Sequence, residues 1–189
     1  MRVEIKRKFL HILLTSYPLF YAKSDNFTRL HIEITIGFII VWCMSEWLRV
    51  NYKLVHAPTY ILLKHMTRKK DDVLTSGFKT PNWLIGYLIP SMLFSQIHII
   101  NGVCVLCFGD TAASLFGKIG QRKSLQGSIS GFIVSSIFCY IFTNSILLAL
   151  GASFVGMLIE YMTLNIKDNY VVPLGGSIGS YMISLIKVQ

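Results

Sequence analysis

Charge is what this chain has least of: only 14% of its 189 residues are Asp, Glu, Lys or Arg, against 53% hydrophobic. A soluble domain of this length needs more polar surface than that, so a water-exposed globular domain is excluded and a membrane protein is indicated. Acids are scarcer still, nine against eighteen Lys and Arg. Pro- or Ser-rich linkers, low-complexity tracts and repeats of fixed period are lacking, which leaves residues 1–189 as a single membrane-embedded domain. Of the four cysteines, all within apolar runs, Cys104 and Cys107 form a CxxC with no second pair and no polar neighbours. Zinc and thiol-redox readings therefore give way to buried small side chains. The N-terminal stretch MRVEIKRKFLHILLTSYPLFYAKS has a basic head and a short apolar body but no small-x-small cleavage site. With another apolar segment close behind, it reads as a retained first span.

What is present is a series of apolar segments near the length of about 20 residues that a membrane-crossing helix needs. Seven candidates are 9–28 (interrupted by Pro18 and Lys23), 30–48, 81–96, 97–117, 125–143, 144–162 and 169–188. The segment LVHAPTYILLKHM, 54–66, is too short to cross and ends in MTRKKDD, which suits an interfacial helix. The expected fold is an all-α, polytopic membrane bundle of seven transmembrane helices plus that short interfacial helix. With the N-terminus cytoplasmic and the C-terminus on the opposite side, fifteen Lys and Arg fall on the cytoplasmic side, and Lys23, Arg29 and Lys187 outside. That asymmetry obeys the positive-inside rule and makes much of the +9 net charge topological. No nucleic-acid partner is implied, because the basic residues are not interleaved with aromatics on a soluble surface.

Glu4, Asp25, Asp71 and Asp72 fall in predicted loops or tails, and Glu33, near the outer end of the second span, is accounted for by solvent or by pairing with His31. Glu46, Asp110, Glu160 and Asp168 differ, since each lies within or beside the cytoplasmic end of its own span. A charge at a helix centre costs about 2.5–3.5 kcal/mol on insertion scales, so four on one side suggest a shared polar site. Asp110 precedes Gly117 by seven residues, about 10 Å of helix, a depth reachable from the cytoplasm. Its neighbours at i+3, i+4 and i+7 are Ala113, Ser114 and Gly117, a face without bulk that permits close approach.

The loop GKIGQRKS that follows is not a Walker A sequence, yet it holds what a phosphate chain needs. Gly117 and Gly120 allow backbone approach, Lys118, Arg122 and Lys123 supply charge, and Ser124 is a candidate N-cap whose helix start adds free N–H groups. A metal on Asp110 beside this loop would bridge phosphate oxygens. The competing reading is a structural helix–helix contact at Asp110 followed by an ordinary basic loop. Gly127 and Gly131, and Gly175 and Gly179, are GxxxG pairs expected at helix contacts.

RKFLH at 7–11, EWLR at 46–49, GDTAASLFGKIGQRKSLQGSISGF at 109–132 and EYMTLNIKDNYVVPL at 160–174 occur in that order. Together they resemble the dolichol kinase, phytol kinase and CTP-dependent diacylglycerol kinase family of many-spanning membrane enzymes. The resemblance implies transfer of the γ-phosphate of CTP to a lipid alcohol, a polyprenol, phytol-like alcohol or diacylglycerol, with Mg²⁺. It also implies roles: Asp110 and Asp168 as metal ligands, and Glu160 as the base toward the lipid hydroxyl. Lys118, Arg122, Lys123 and Ser124, with Gly117, Gly120 and Asn169, would bind the nucleotide. Arg7, Lys8 and His11 would contact phosphate or lipid hydroxyl, and Glu46 and Arg49, at i, i+3, would form an ordering ion pair. The expected partners are thus a lipid alcohol, a nucleoside triphosphate and the bilayer. The tail IKDNYVVPLGGSIGS also faintly resembles the CDP-diacylglycerol synthase family, so cytidylyl transfer is the nearest alternative, and a small membrane transporter the alternative from another class. At 189 residues the chain is similar to the compact core of the larger dolichol kinases.

Overall fold

In lipid a backbone N–H or C=O finds no partner outside its own segment, so apolar runs close their hydrogen bonds as helices. The computed structural model describes residues 2–52, 82–117, 123–162 and 168–187, and among them every regular element is helical and none is a strand. Helix α1 is Arg2–Thr15, followed by a 3₁₀ turn at Tyr17–Tyr21; α2 is Phe27–Tyr52 and α3 is Asn82–Leu93. Helix α4 runs over Gln96–Phe116, α5 is Leu125–Thr143, α6 is Ile146–Met162 and α7 is Asp168–Lys187. The candidate interfacial helix at 54–66 lies outside the described residues.

Three of these helices, through Phe27–Ser45, Gln96–Phe116 and Leu125–Thr143, are long and apolar enough to cross a membrane; Leu84–Leu93 and Ile146–Met162 are shorter apolar helices. The stretch 9–28 is not one continuous helix. The Thr15 hydroxyl turns back to the His11 carbonyl at 2.7 Å, the helix stops there, and Pro18 opens the 3₁₀ turn. A proline at that point lacks the N–H that would continue the ladder and crowds the preceding turn, so the chain bends instead. Glu33 pairs with Arg29 at 2.8 Å on the exposed side of α2, while His31 points inward and bonds the Tyr21 hydroxyl through Nδ1. His31 therefore serves the core, not Glu33.

Helix α4 is the axis of the bundle: 78% of its apolar stretch is buried inside the protein, against 17% for α2 and 22% for α5. Where lipid is as apolar as the side chains, helices associate through close packing and hydrogen bonds, and small residues mark the contacts. Helix α5 makes this visible. Gly127, Gly131, Ser135 and Cys139 repeat every four residues on its buried face, and Ile129, Ile133, Ile137 and Ile141 repeat likewise on its exposed face. Helix α7 meets α4 so closely that a Cβ on Gly102 would strike the Pro173 carbonyl and the Ser177 hydroxyl. Between α5 and α6 the chain reverses at Asn144, which takes a left-handed conformation (φ 53°) that its short polar side chain tolerates.

Neutral hydrogen bonds fix the remaining helices. The Tyr87 hydroxyl of α3 donates to the Thr15 carbonyl at 2.7 Å, and the Cys107 thiol of α4 lies 3.1 Å from the Thr15 hydroxyl. This knot seats the end of α1 against α4. Cys104, Cys107 and Cys139 are buried free thiols.

Candidate functional site

Helix α4 changes its winding as it approaches Asp110. Val105–Asp110 form a π turn between the α-helical segments Gln96–Cys104 and Thr111–Phe116. Such a turn accommodates one extra residue and swings the following face to a new direction, a feature concentrated at functional sites. Gly109, inside it, lets α5 and α6 close in: a Cβ there would lie 2.9 Å from Met157 Sδ and 3.2 Å from Ser135 Cβ. The facing Gly131 is equally tight, since its Cβ would come within 2.8 Å of the Gly109 carbonyl.

Beside this junction Asp110 is buried, and its Oδ2 accepts from Lys8 Nζ of α1 at 2.9 Å. Both side chains are withdrawn from solvent, at 9% and 12% exposure, so the pair carries the desolvation cost of two charges. The next residue, Thr111, has a buried hydroxyl with no hydrogen-bond partner. A threonine in a helix usually returns its hydroxyl to a carbonyl one turn back, as Ser114 does to Asp110 at 2.8 Å. An unmatched buried hydroxyl costs about 1–3 kcal/mol and calls for a reason, such as a ligand it meets.

Helix α4 ends at Phe116, and Gly117 follows in extended conformation with its N–H bonded to the Ala113 carbonyl at 3.0 Å. Lys123 and Ser124 lead into α5. Ser124 caps α5, its hydroxyl accepting the Gly127 N–H at 3.1 Å. A Cβ on Gly127 would sit 2.6 Å from the Ala113 carbonyl, so the start of α5 is pressed onto the end of α4.

Glu160, near the end of α6, completes the arrangement. It is buried, its Oε2 accepts from the Ser128 hydroxyl at 3.1 Å, and its Oε1 lies 3.8 Å from Lys123 Nζ. Lys123 also donates to the Glu160 backbone carbonyl. Asp110 and Glu160 thus flank one junction: Gly109 precedes Asp110, Met157 lies one turn before Glu160, and the two touch. Each acid is matched with a lysine from a different element, and the end of α4, the start of α5 and the end of α6 meet there.

Several predicted site residues have less to show. Arg7, Glu46, Arg49 and Asp168 are helical but their side chains lie outside the described residues, as do Lys118, Gly120 and Arg122 altogether. His11 is half-buried on α1 one turn beyond Lys8, and Asn169 is half-buried at the start of α7, its carbonyl against Gly86 of α3. Lys8 and Lys123, both expected at the nucleotide, each contact one of the two acids. Sequence reasoning missed the π turn, Thr111 and Ser128. The available signal for the last two was the polarity of small residues inside the GDTAASLF and KSLQGS stretches.

Among the described residues no group of three or more His, Cys, Asp and Glu side chains could hold a metal ion. Mg²⁺ is commonly held by one or two carboxylates with the rest of its shell from water and substrate phosphates. The buried Asp110 carboxylate is compatible with a cation that would arrive with a nucleotide.

The chain is similar to "CTP-dependent diacylglycerol kinase 1" of Saccharomyces cerevisiae, 26% identical over 148 residues that cover 74% of this chain and 50% of that protein. It is similar to the protein of the same name from Eremothecium gossypii, 24% identical over 74% of this chain and 46% of that one. The chain thus spans about half the length of these two kinases. An uncharacterized protein of Rickettsia prowazekii is 27% identical over 90% of both chains. No protein-family model matches, and no solved structure matches.

Proposed function

We propose that this protein transfers the γ-phosphate of CTP to the hydroxyl of a membrane lipid alcohol at the cytoplasmic face. The observation that carries the proposal is the convergence of two buried, lysine-matched carboxylates on touching helix ends, with a capped helix start between them. The distant similarity to proteins named CTP-dependent diacylglycerol kinase supports the same reaction class and makes diacylglycerol the first acceptor to test. The stretch 9–28, which joins the end of α1 to the 3₁₀ turn, and helices α2 to α7 are read as seven crossings with the N-terminus cytoplasmic. That order brings the start of α1, the end of α4, the start of α5, the end of α6 and the start of α7 to one face.

Phosphoryl transfer asks little covalent chemistry of a protein and much positioning and charge neutralisation. The α5 start, with Ser124 as its cap and Lys123 before it, offers N–H groups and positive charge to the phosphates. Lys8, resting on Asp110, is the counter-ion that a nucleotide would take over when it brings its own cation to that carboxylate. Bound Mg²⁺ would supply charge neutralisation of the β- and γ-phosphate oxygens. Glu160 is the proton acceptor: the lipid O–H breaks, its oxygen forms the new bond to the γ-phosphorus, and CDP leaves. The apolar surroundings exclude water, which would otherwise compete for the phosphoryl group.

The test is incubation of purified protein with CTP or ATP labelled on the γ-phosphorus and a panel of diacylglycerol, polyprenol and phytol. Labelled phospholipid from CTP is the expected product. Cytidylyl transfer to phosphatidate would leave the γ-label in pyrophosphate, and lipid or solute flux in sealed vesicles without nucleotide consumption would indicate a transporter; either result refutes the kinase reading.

A further inference from the structure

We infer that Ser128 is a positioning residue for the phosphoryl transfer, a hydroxyl that holds the Glu160 side chain in both of its protonation states. The inference rests on the reading of Glu160 as proton acceptor and goes one step deeper into the same site. Ser128 is itself buried and has one proton to donate, with two acceptors in range: Glu160 Oε2 at 3.1 Å and the Ser124 carbonyl at 3.3 Å. With Glu160 ionised, the charged acceptor wins, because a hydrogen bond to a carboxylate is roughly twice as strong as one to a neutral carbonyl.

The second acceptor matters after the proton has moved. When the lipid hydroxyl is phosphorylated its proton passes to Glu160, which then needs an acceptor in place of a donor. A rotation of the Ser128 hydroxyl about its Cβ–Oγ bond sends its proton to the Ser124 carbonyl and turns an oxygen lone pair toward the new Glu160 O–H. No heavy atom has to shift. A serine one turn into a helix commonly bonds back to the carbonyl four residues earlier; what is unusual is that the same oxygen also reaches a buried carboxylate on another helix.

The geometry couples two parts of the site. Ser124 is the residue whose hydroxyl caps α5 and whose carbonyl takes the Ser128 proton, so the proton's arrival on Glu160 is met at the helix start that faces the phosphates. Lys123, adjacent in the chain, holds the same glutamate from the other side through its backbone carbonyl and Oε1. Lys123 and Ser128 therefore both hold the glutamate, and Ser128 is the one whose hydroxyl can follow the change in charge.

The experiment compares the full chain in lipid nanodiscs with Ser128→Ala, Ser128→Thr, Glu160→Gln and the double variant Ser128→Ala/Glu160→Gln, using CTP and diacylglycerol. Ser128→Ala is expected to lower kcat about tenfold, the size of one lost hydrogen bond to a charged group, with KM for CTP and thermal stability little changed. Ser128→Thr, which keeps the hydroxyl, should restore most of the rate. On the Glu160→Gln background, removing the Ser128 hydroxyl should cost nothing further, because its effect runs through the carboxylate. A tenfold loss that persists on that background, or a rise in KM with kcat preserved, overturns the inference. Glu160→Gln with a near-normal rate overturns the base assignment as well, whereas an impaired Glu160→Gln beside a fully active Ser128→Ala overturns the Ser128 role alone.

Discussion

At its start α4 buries His98 and Asn101 against the Ser180 hydroxyl of α7, at 2.9 and 2.8 Å; near its end it buries Asp110 against Lys8 of α1. His98 and Asn101 stand twelve and nine residues before Asp110, about 14–18 Å along one helix. One is built from uncharged side chains and the other from a full ion pair, with a second pair, Lys123 and Glu160, close by. A neutral network ties helices together at modest cost. A buried ion pair is a poor device for the same task, since well-packed hydrophobic residues in its place often leave a protein equally or more stable. Charge at the Asp110 end therefore fits the proposed ligand site better than a purely structural tie.

The largest effect belongs to Asp110→Asn. Phosphoryl transfer should fall by about 10³-fold or more, as when a preorganised charge at the reacting centre is removed. Lys8 would be left buried without its counter-charge, so stability should also drop, by about 3–5 kcal/mol. Adding Lys8→Met should recover much of that stability and none of the activity. Thermal melting and γ-label transfer, measured on the same preparations, separate the two, and near-normal turnover in Asp110→Asn would remove the aspartate from the mechanism.

Next comes Glu160→Gln, which keeps shape and loses the proposed proton acceptor. A rate loss of about 10²–10⁴-fold is expected. Binding of CTP, followed by equilibrium titration, should change far less than the rate. If binding weakens in proportion to the rate, Glu160 belongs to the nucleotide seat instead.

How much of this could be read beforehand differs by the range of the interaction. Ser124 as the cap of α5 is visible because a cap and the N–H it accepts lie within one turn. The inner-face glycines of α5 are visible because the four-residue period survives in the chain. The Lys8–Asp110 pair joins residues 102 apart, and no local pattern states it. The π turn is hidden for a different reason: it adds a residue to a helix without altering composition, so VLCFGD reads as ordinary apolar helix. The break after Thr15 lay between these cases. Pro18 was legible as an interruption, but whether the helix kinks or stops depended on Thr15 bonding back to His11 and forward to α3 and α4.

A smaller effect, and a sharper one, concerns Thr111. Valine has nearly the same shape and removes a buried hydroxyl that bonds nothing in the resting protein. If the fold alone mattered, Thr111→Val would be neutral or stabilising, because an unmatched polar group is replaced by an apolar one. We expect that stability, together with a loss of about tenfold in kcat/KM for CTP, the size of one hydrogen bond made only to the ligand. Unchanged kcat/KM would make the hydroxyl a packing remnant.

The smallest effect on activity is expected at the neutral end. Ser180→Ala removes the oxygen that His98 Nδ1 and Asn101 Nδ2 both contact, and Asn101 Oδ1 already has no partner there. Two buried polar groups then lose their match at once, so stability should fall by about 1–3 kcal/mol, read as a lower melting temperature in detergent. Turnover per folded molecule should stay within about twofold, because that cluster lies about 14–18 Å along α4 from Asp110. A loss of turnover without a loss of stability would mean that the two ends of the helix act as one unit, and the division between a holding end and a reacting end would have to be given up.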